Sequence, residues 1–420
     1  MKLKRLTALL LSVMLVLSLA ACGGGKDAKD DSADGDLSGK EIIIGNITPV
    51  TGAQAAYGLA ITNSIQLAID EINAAGGILG ATVKLSTKDD QGTPAEAVSG
   101  FNSLLSEGAA AIIGATLSSC TSAITSLADD EGIVLVTPSS TADSITTTDD
   151  YVFRSCFKDS FQGEMVAAYA KDQGWTKAAV LYATGDTYSS GLHDSFVKAA
   201  EKYGIEIVCE QSSSDTGAVD FSSQLATIAA SGADMLFAPY YYDAVGPKII
   251  PQAREAGFKG AIMGCDGFDG TQDYTTGDLS AYENVYFTNH YSPEDSSEIV
   301  QSYVKNYTEK YGSESMNALG ALAYDAMYMV KQAIEKAGFK PGEDFMIAID
   351  AASSEWWDEE QKCYVQPKSG KKLTQQQLVN MWKKFADNYP IISLEDGMAE
   401  TDWEGWAMLT RAIGDKGQLV

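Results

Sequence analysis

Two histidines, His193 and His290, stand in 420 residues. That count argues against a zinc site of the usual several-histidine kind and against most histidine-based triads. Chemistry falls to carboxylates, hydroxyls and backbone groups. Asp266 sits between Gly264 and Gly267 at the end of a short apolar run, with no basic residue within several positions. Such a carboxylate in a crevice seeks a cation such as an ammonium group. Leu117, Ser118, Ser119 and Cys120 follow a second apolar run, and Ser139, Ser140 and Thr141 a third. Tyr188 follows a fourth, and a fifth ends in Tyr240, Tyr241 and Tyr242. One carboxylate, several hydroxyls and tyrosine faces suit the binding of a zwitterion.

What places these residues together is the alternation around them. Strand-like runs cover 41–49, 82–88, 110–116, 133–138, 177–184, 205–211, 234–241, 261–266 and 284–291. Amphipathic stretches separate them, such as 60–73 with Ile65, Leu67, Ala68 and Ile72 at helical spacing. That pattern predicts an α/β fold with parallel sheets covered on both faces, and the length accommodates two. Ligands of such sheets bind beyond the carboxyl ends of the strands, where the polar set falls. The free N–H groups of the stretch that Ser118 opens favour an anion. Each element also has a plainer use, because Ser-Ser after a strand caps a helix and a tyrosine run packs at a sheet edge. Their joint placement at strand ends favours the site.

Composition narrows the partners. Lys+Arg number 30 against 57 Asp+Glu, a net charge of -27, so nucleic acid and acidic lipid headgroups are excluded. With 45% hydrophobic residues the chain is too apolar to be disordered. Residues 1–21 carry Lys2, Lys4 and Arg5 and then an apolar stretch ending in small residues, the pattern of a secretory signal peptide too short to span a membrane. Residues 22–40 begin with Cys22 and read as a solvated, flexible tether. The glycine run 23–25 follows no strand and is no phosphate loop. Five further cysteines at wide spacing, Cys120, Cys156, Cys209, Cys265 and Cys363, give no disulfide framework. Whether Cys120 and Cys265 approach each other near the cleft is left open by the sequence.

Ordered segments carry a family resemblance: IIIGNITPVTGAQAAYG, AIDEINAAGGILG, AAIIGATLSS, IVLVTPSSTA, YVFRSCFKDSFQGE, FSSQLATIAASGAD, QAREAGF and IMGCDGF. From about Lys40 to Gly338 the chain resembles the type I solute-binding proteins of branched-chain amino acid ABC transporters. The resemblance implies two Rossmann-like lobes joined by three crossovers and closing by a hinge, with lobe 1 at 41–158 and 290–338 and lobe 2 at 159–289. It implies no enzymatic step and no cofactor, only capture of an amino acid and delivery to a permease; a sensor on the same scaffold is the alternative. Matched positions place the ligand carboxylate on Ser118 and Ser119, with Ser139 and Thr141 shared between carboxylate and ammonium. Asp266 takes the ammonium, Tyr57 and Tyr188 resemble aromatic walls, and Leu117 the side-chain pocket. Tyr242 or Tyr241 resembles the lid contact of lobe 2. Leucine, isoleucine and valine are the implied ligand class, although related pockets take other amino acids, amides or aromatic acids. The Leu19-Ala20-Ala21-Cys22 ending resembles a lipobox, which implies a lipid on Cys22 and an extracytoplasmic, membrane-anchored protein.

The texture changes after Gly338, with five of six tryptophans at Trp356, Trp357, Trp382, Trp403 and Trp406. Instead of returning to lobe 2, residues 333–420 resemble part of the barrel of enolase, so that 339–420 form an incomplete α/β barrel-like fragment. MIAIDAA and PIISLED are apolar strands ending in Asp350 and Glu395, which the resemblance makes magnesium ligands. The third carboxylate is expected just beyond QLV, the last residues given. The lysine base and partner glutamates belong to parts of enolase outside this stretch, and a barrel needs about 250 residues to close. No enolase activity is expected. AIEKAG at 333–338 suits either family and is where a joining of two coding sequences, by assembly error or recombination, would fall. A fragment rich in tryptophan with unpaired strand edges is expected to be prone to aggregation.

Overall fold

Continuous apolar runs make strands that are buried on both faces. In the computed structural model β1 (Glu41–Thr48) is the clearest, with Ile44 and Ile47 fully buried. The structure describes residues 37–147, 150–313, 315–337, 347–359, 361–366, 370–389 and 391–420. The leader, Cys22 and the tether up to residue 36 lie outside them.

Five parallel strands form the first sheet: β1, β2 (Thr82–Asp89), β3 (Ala111–Ile113), β4 (Val134–Thr137) and β5 (Val152–Arg154), in the order β2-β1-β3-β4-β5. A second parallel sheet holds β6 (Lys177–Ala183), β7 (Glu206–Ser213), β8 (Met235–Phe237), β9 (Ala261–Gly264) and β10 (Val285–Phe287), in the order β10-β9-β8-β6-β7. Helices cover both. Ala55–Ala74 buries Tyr57, Ile61, Ile65, Ala68 and Ile72, the helical spacing read from the sequence. Pro94 opens the helix Pro94–Ser106, where its missing N–H costs nothing.

The chain leaves the first sheet between β5 and the helix Asp159–Asp172, and returns after β10. Two helices of the return, Glu298–Tyr311 and Ala318–Glu335, pack back onto the first lobe. Ser64 Oγ meets Tyr303 Oη at 2.9 Å, and Asn306 donates to Glu71 at 2.9 Å. Two crossings thus join the lobes among the described residues, rather than the three that the resemblance implies.

The tail folds on itself. β11 (Ile347–Asp350), β15 (Ile391–Glu395) and β16 (Gln418–Leu419) form a three-stranded parallel sheet. β12 (Trp357–Asp358), β13 (Cys363–Val365) and β14 (Lys372–Leu373) form a three-stranded antiparallel one. The helix Gln375–Asn388 starts with a capping box between Thr374 and Gln377. Trp382 is buried and donates from Nε1 to the Gly397 carbonyl at 2.7 Å; Tyr364 donates to Asp402 at 2.6 Å. Trp356, Trp357 and Trp406 pack against this core, and Trp403 alone of the five is strongly exposed, at 81%. Trp356, Trp357, Trp382 and Trp406 thus belong to a small core of the tail.

All five cysteines of the described residues are free, and Cys120, Cys156 and Cys265 are buried. Burial pushes the Cys156 thiol up to about 12 and that of Cys265 upward too, as inert packing residues. No helix among the described residues is long and apolar enough to cross a membrane.

Candidate functional site

The carboxyl ends of the two sheets face each other across a narrow, nearly closed cavity. The first lobe contributes Tyr57, Thr116, Leu117, Ser118, Ser139 and Leu319; the second contributes Tyr188, Tyr241, Asp266 and Gly267. Asp266 alone of these is charged.

The hydroxyl side of the cleft is built by strand-end loops. Ser118 opens the short helix Ser118–Ser122, and its Oγ accepts the Ala142 N–H at 3.3 Å. Ser139 donates to the Thr116 carbonyl at 2.8 Å. Beneath lies a net of buried hydroxyls, in which Thr121 and Ser140 meet at 2.5 Å and Thr137 donates to the Ala115 carbonyl at 2.8 Å. Arg154 braces the loop from behind, donating to the carbonyls of Ser140 at 3.0 Å and Ala142 at 2.8 Å. Gly114 lets the strand-end turn come this close: its φ is +143°, and a Cβ there would stand 2.4 Å from the Ile47 carbonyl oxygen.

The anionic side is Asp266, 3% exposed. Its Oδ1 accepts from Gln162 Nε2 at 2.8 Å and from the Tyr188 hydroxyl at 3.0 Å. Tyr188 in turn accepts the Gly267 N–H at 2.8 Å. Burial first, and then the Asp266 charge, pushes the Tyr57 and Tyr188 phenols well above their ordinary range, so both remain neutral donors. Tyr188 and Tyr241 stack at 5.0 Å between centroids, and Tyr57 meets Tyr241 edge-on at 6.4 Å. Aromatic faces beside a carboxylate favour a cation.

Seven of the ten positions anticipated from sequence line the cavity: Tyr57, Leu117, Ser118, Ser139, Tyr188, Tyr241 and Asp266. Three do not. Ser119 is half-buried on the next position of the short helix. Thr141 is fully buried behind the loop, where its carbonyl accepts the Asp159 N–H at 2.9 Å. Tyr242 points to the first lobe, donating to the Ala53 carbonyl at 2.9 Å and accepting the Ala56 N–H at 3.2 Å. It thereby joins the lobes outside the cavity. Gln54 donates to Asp243 at 3.0 Å, and the Ala318 N–H to Asp269 at 2.7 Å. Sequence reasoning missed Gln162, His290 and Arg154, whose only signal is their place in the quoted YVFRSCFKDSFQGE segment or at the end of the 284–291 run. Leu319 carried no signal at all.

Asp350 and Glu395 in the tail occupy paired positions on neighbouring parallel strands and are exposed. Among the described residues no group of three or more histidine, cysteine or acidic side chains could hold a metal ion.

Two hinged α/β lobes gripping a small polar cavity define a solute-binding protein of the two-lobed type. Residues 41–358 match the family model described as periplasmic binding protein. The chain belongs to that family. Residues 298–420 match the model of the enolase C-terminal TIM barrel domain, overlapping the first match. The Leu/Ile/Val-binding protein homolog 3 of Brucella melitensis is 31% identical over 307 residues, covering 71% of this chain and 80% of that protein. Among solved structures, the leucine-binding protein LivK of Thermotoga maritima is 32% identical with a TM-score of 0.66, covering 71% of this chain and 83% of its own. LivJ of Streptococcus pneumoniae, solved with isoleucine, is 32% identical with a TM-score of 0.64, covering 70% and 84%.

Proposed function

We propose that this protein captures a branched-chain amino acid, leucine, isoleucine or valine, between its lobes and delivers it to an ABC transporter permease outside the cytoplasm. The observation that carries this reading is the single cavity carboxylate, Asp266, lining the same cleft as Ser118 and Ser139 with no other charged side chain among the lining residues. An ammonium meets Asp266, a carboxylate meets the hydroxyls, and an aliphatic side chain meets Leu117 and Leu319. Solved relatives 32% identical to this chain, one named a leucine-binding protein and one in complex with isoleucine, support the same choice.

The chain divides in this reading into a signal peptide at 1–21, a tether at 22–40 lipidated on Cys22, lobe 1 at 41–158 and 290–338, lobe 2 at 159–289, and the tail at 339–420. The membrane is then a partner through the lipid alone. We assign Asp350 and Glu395 no catalysis, since two exposed carboxylates are fewer than such a metal site needs; magnesium-dependent turnover of 2-phosphoglycerate would overturn that. Single-molecule sequencing across codons 333–338 tests how the tail was joined: one uninterrupted natural reading frame would remove the assembly-error explanation and leave recombination.

Thermal unfolding of residues 26–420 with each common amino acid tests the main reading, because a ligand that binds only the folded state raises the midpoint. A rise with leucine, isoleucine or valine that Asp266→Ala abolishes is expected. A rise confined to unrelated amino acids, or none, rejects the assignment.

A further inference from the structure

We propose that His290 is a positioning residue for the Asp266 anchor, reserving Oδ2 for the ligand's cation and tying that oxygen to the hinge. The inference rests on the amino-acid-binding reading above and goes beyond it to a residue outside the cavity wall.

His290 lies where the chain returns from β10 to the first lobe, and its side chain is 1% exposed. Its Nε2 stands 3.3 Å from Asp266 Oδ2. On the other side Nδ1 accepts the Phe157 N–H at 3.4 Å, and Phe157 belongs to the outgoing crossing between β5 and the helix Asp159–Asp172. The Phe157 ring packs on the imidazole at 5.1 Å. A ring nitrogen that accepts carries no proton, so the neutral ring bears its hydrogen on Nε2, toward the carboxylate. One imidazole therefore spans both crossings and the anchor.

The two carboxylate oxygens are treated differently. Oδ1 is occupied by Gln162 and Tyr188, and Gln162 is itself held by the Thr288 hydroxyl at 2.8 Å, two residues before His290. Over Oδ2 the imidazole N–H lies close but off the hydrogen-bond line, and Nε2 has no hydrogen-bond partner. It confines the carboxylate by proximity and by the dipole of its N–H while leaving an acceptor direction free. An ammonium can take that direction without breaking a formed bond.

Calorimetric titration of L-leucine into wild type, His290→Phe and His290→Gln, with nitrogen-15 spectra of the imidazoles, tests the assignment. Only two histidines contribute signals. Expected are an Nε2–H tautomer that shifts in Asp266→Asn, a loss of about tenfold or more in affinity in His290→Phe, and recovery to within about threefold in His290→Gln, which restores an N–H donor. An Nδ1–H tautomer, or wild-type affinity in His290→Phe, would overturn the proposal. If wild type binds no amino acid, the ligand reading falls alone, and the tautomer with its response to Asp266→Asn still decides the His290 contact.

Discussion

Tyr57 reaches across the cleft from the first lobe and donates its phenolic hydrogen to the Gly267 carbonyl at 2.7 Å. Gly267 follows Asp266, so this bond joins the lobes at the anchor itself. Removing the hydroxyl in Tyr57→Phe keeps the ring and leaves a buried carbonyl unmet, a change worth about 1–3 kcal/mol. Leucine affinity should fall by about tenfold, and small-angle scattering should show a more open ligand-free protein. Unchanged affinity would mean that this bond adds nothing to closure.

Gly267 tolerates no side chain. A Cβ there would stand 2.7 Å from both the Tyr188 hydroxyl oxygen and the Tyr240 carbonyl oxygen. Overpacking of this kind costs about 1–3 kcal/mol. Gly267→Ala should lower the melting temperature and weaken binding together, because Tyr188 must leave Asp266. A variant that melts and binds like wild type would show that the backbone yields freely.

Asp90 is a different test, of stability. Burial pushes its carboxyl up to about 6, although one oxygen accepts the Gly92 N–H at 2.9 Å. The folded value lies above the unfolded one, so the folded state holds more protons between about pH 4 and 6. Its stabilising contribution is full below about pH 4 and is lost as pH rises through 6. Asp90→Asn, which has no such charge to bury, should therefore gain about 3 kcal/mol over wild type at pH 8 and little at pH 4, as read by urea unfolding at the two pH values. An equal difference at both would assign the effect to shape.

Arg154 braces the loop bearing Ser139 by holding the Ser140 and Ala142 carbonyls. Arg154→Met keeps the bulk and loses these charge-assisted bonds, each worth about 1.5–3 kcal/mol. Ligand affinity should fall severalfold, and amide exchange should quicken in residues 139–142. Protection equal to wild type there would assign the bracing elsewhere.

Most of the scaffold is legible from apolar runs. The nine runs read as strands are strands, because parallel strands buried on both faces leave an unbroken hydrophobic signature. β5 escapes that reading: it has three residues, with Phe153 exposed and Arg154 turned to the loop behind it. At the site, residue types following strands were informative and register was not. Three consecutive tyrosines take three directions: Tyr240 toward Ser213, Tyr241 into the cavity and Tyr242 to the other lobe. Gln162 lies 104 residues from Asp266 in sequence, so nothing local announces their bond. Thr141 lay at the right loop, but its buried carbonyl serves Asp159.

The bonds that run from lobe to lobe outside the cavity separate how tightly this protein holds from what it chooses. Gln54 to Asp243, Tyr242 to the chain at Ala53 and Ala56, and Asp269 to Ala318 touch only protein. Their free energy favours closure by the same amount whatever the cleft contains, so it scales every affinity together and leaves the ratio between two ligands unchanged. Retention time and selectivity thus sit on different residues. Whatever prises the lobes apart to unload the cargo must break these protein bonds first, which places the control of release on the rim.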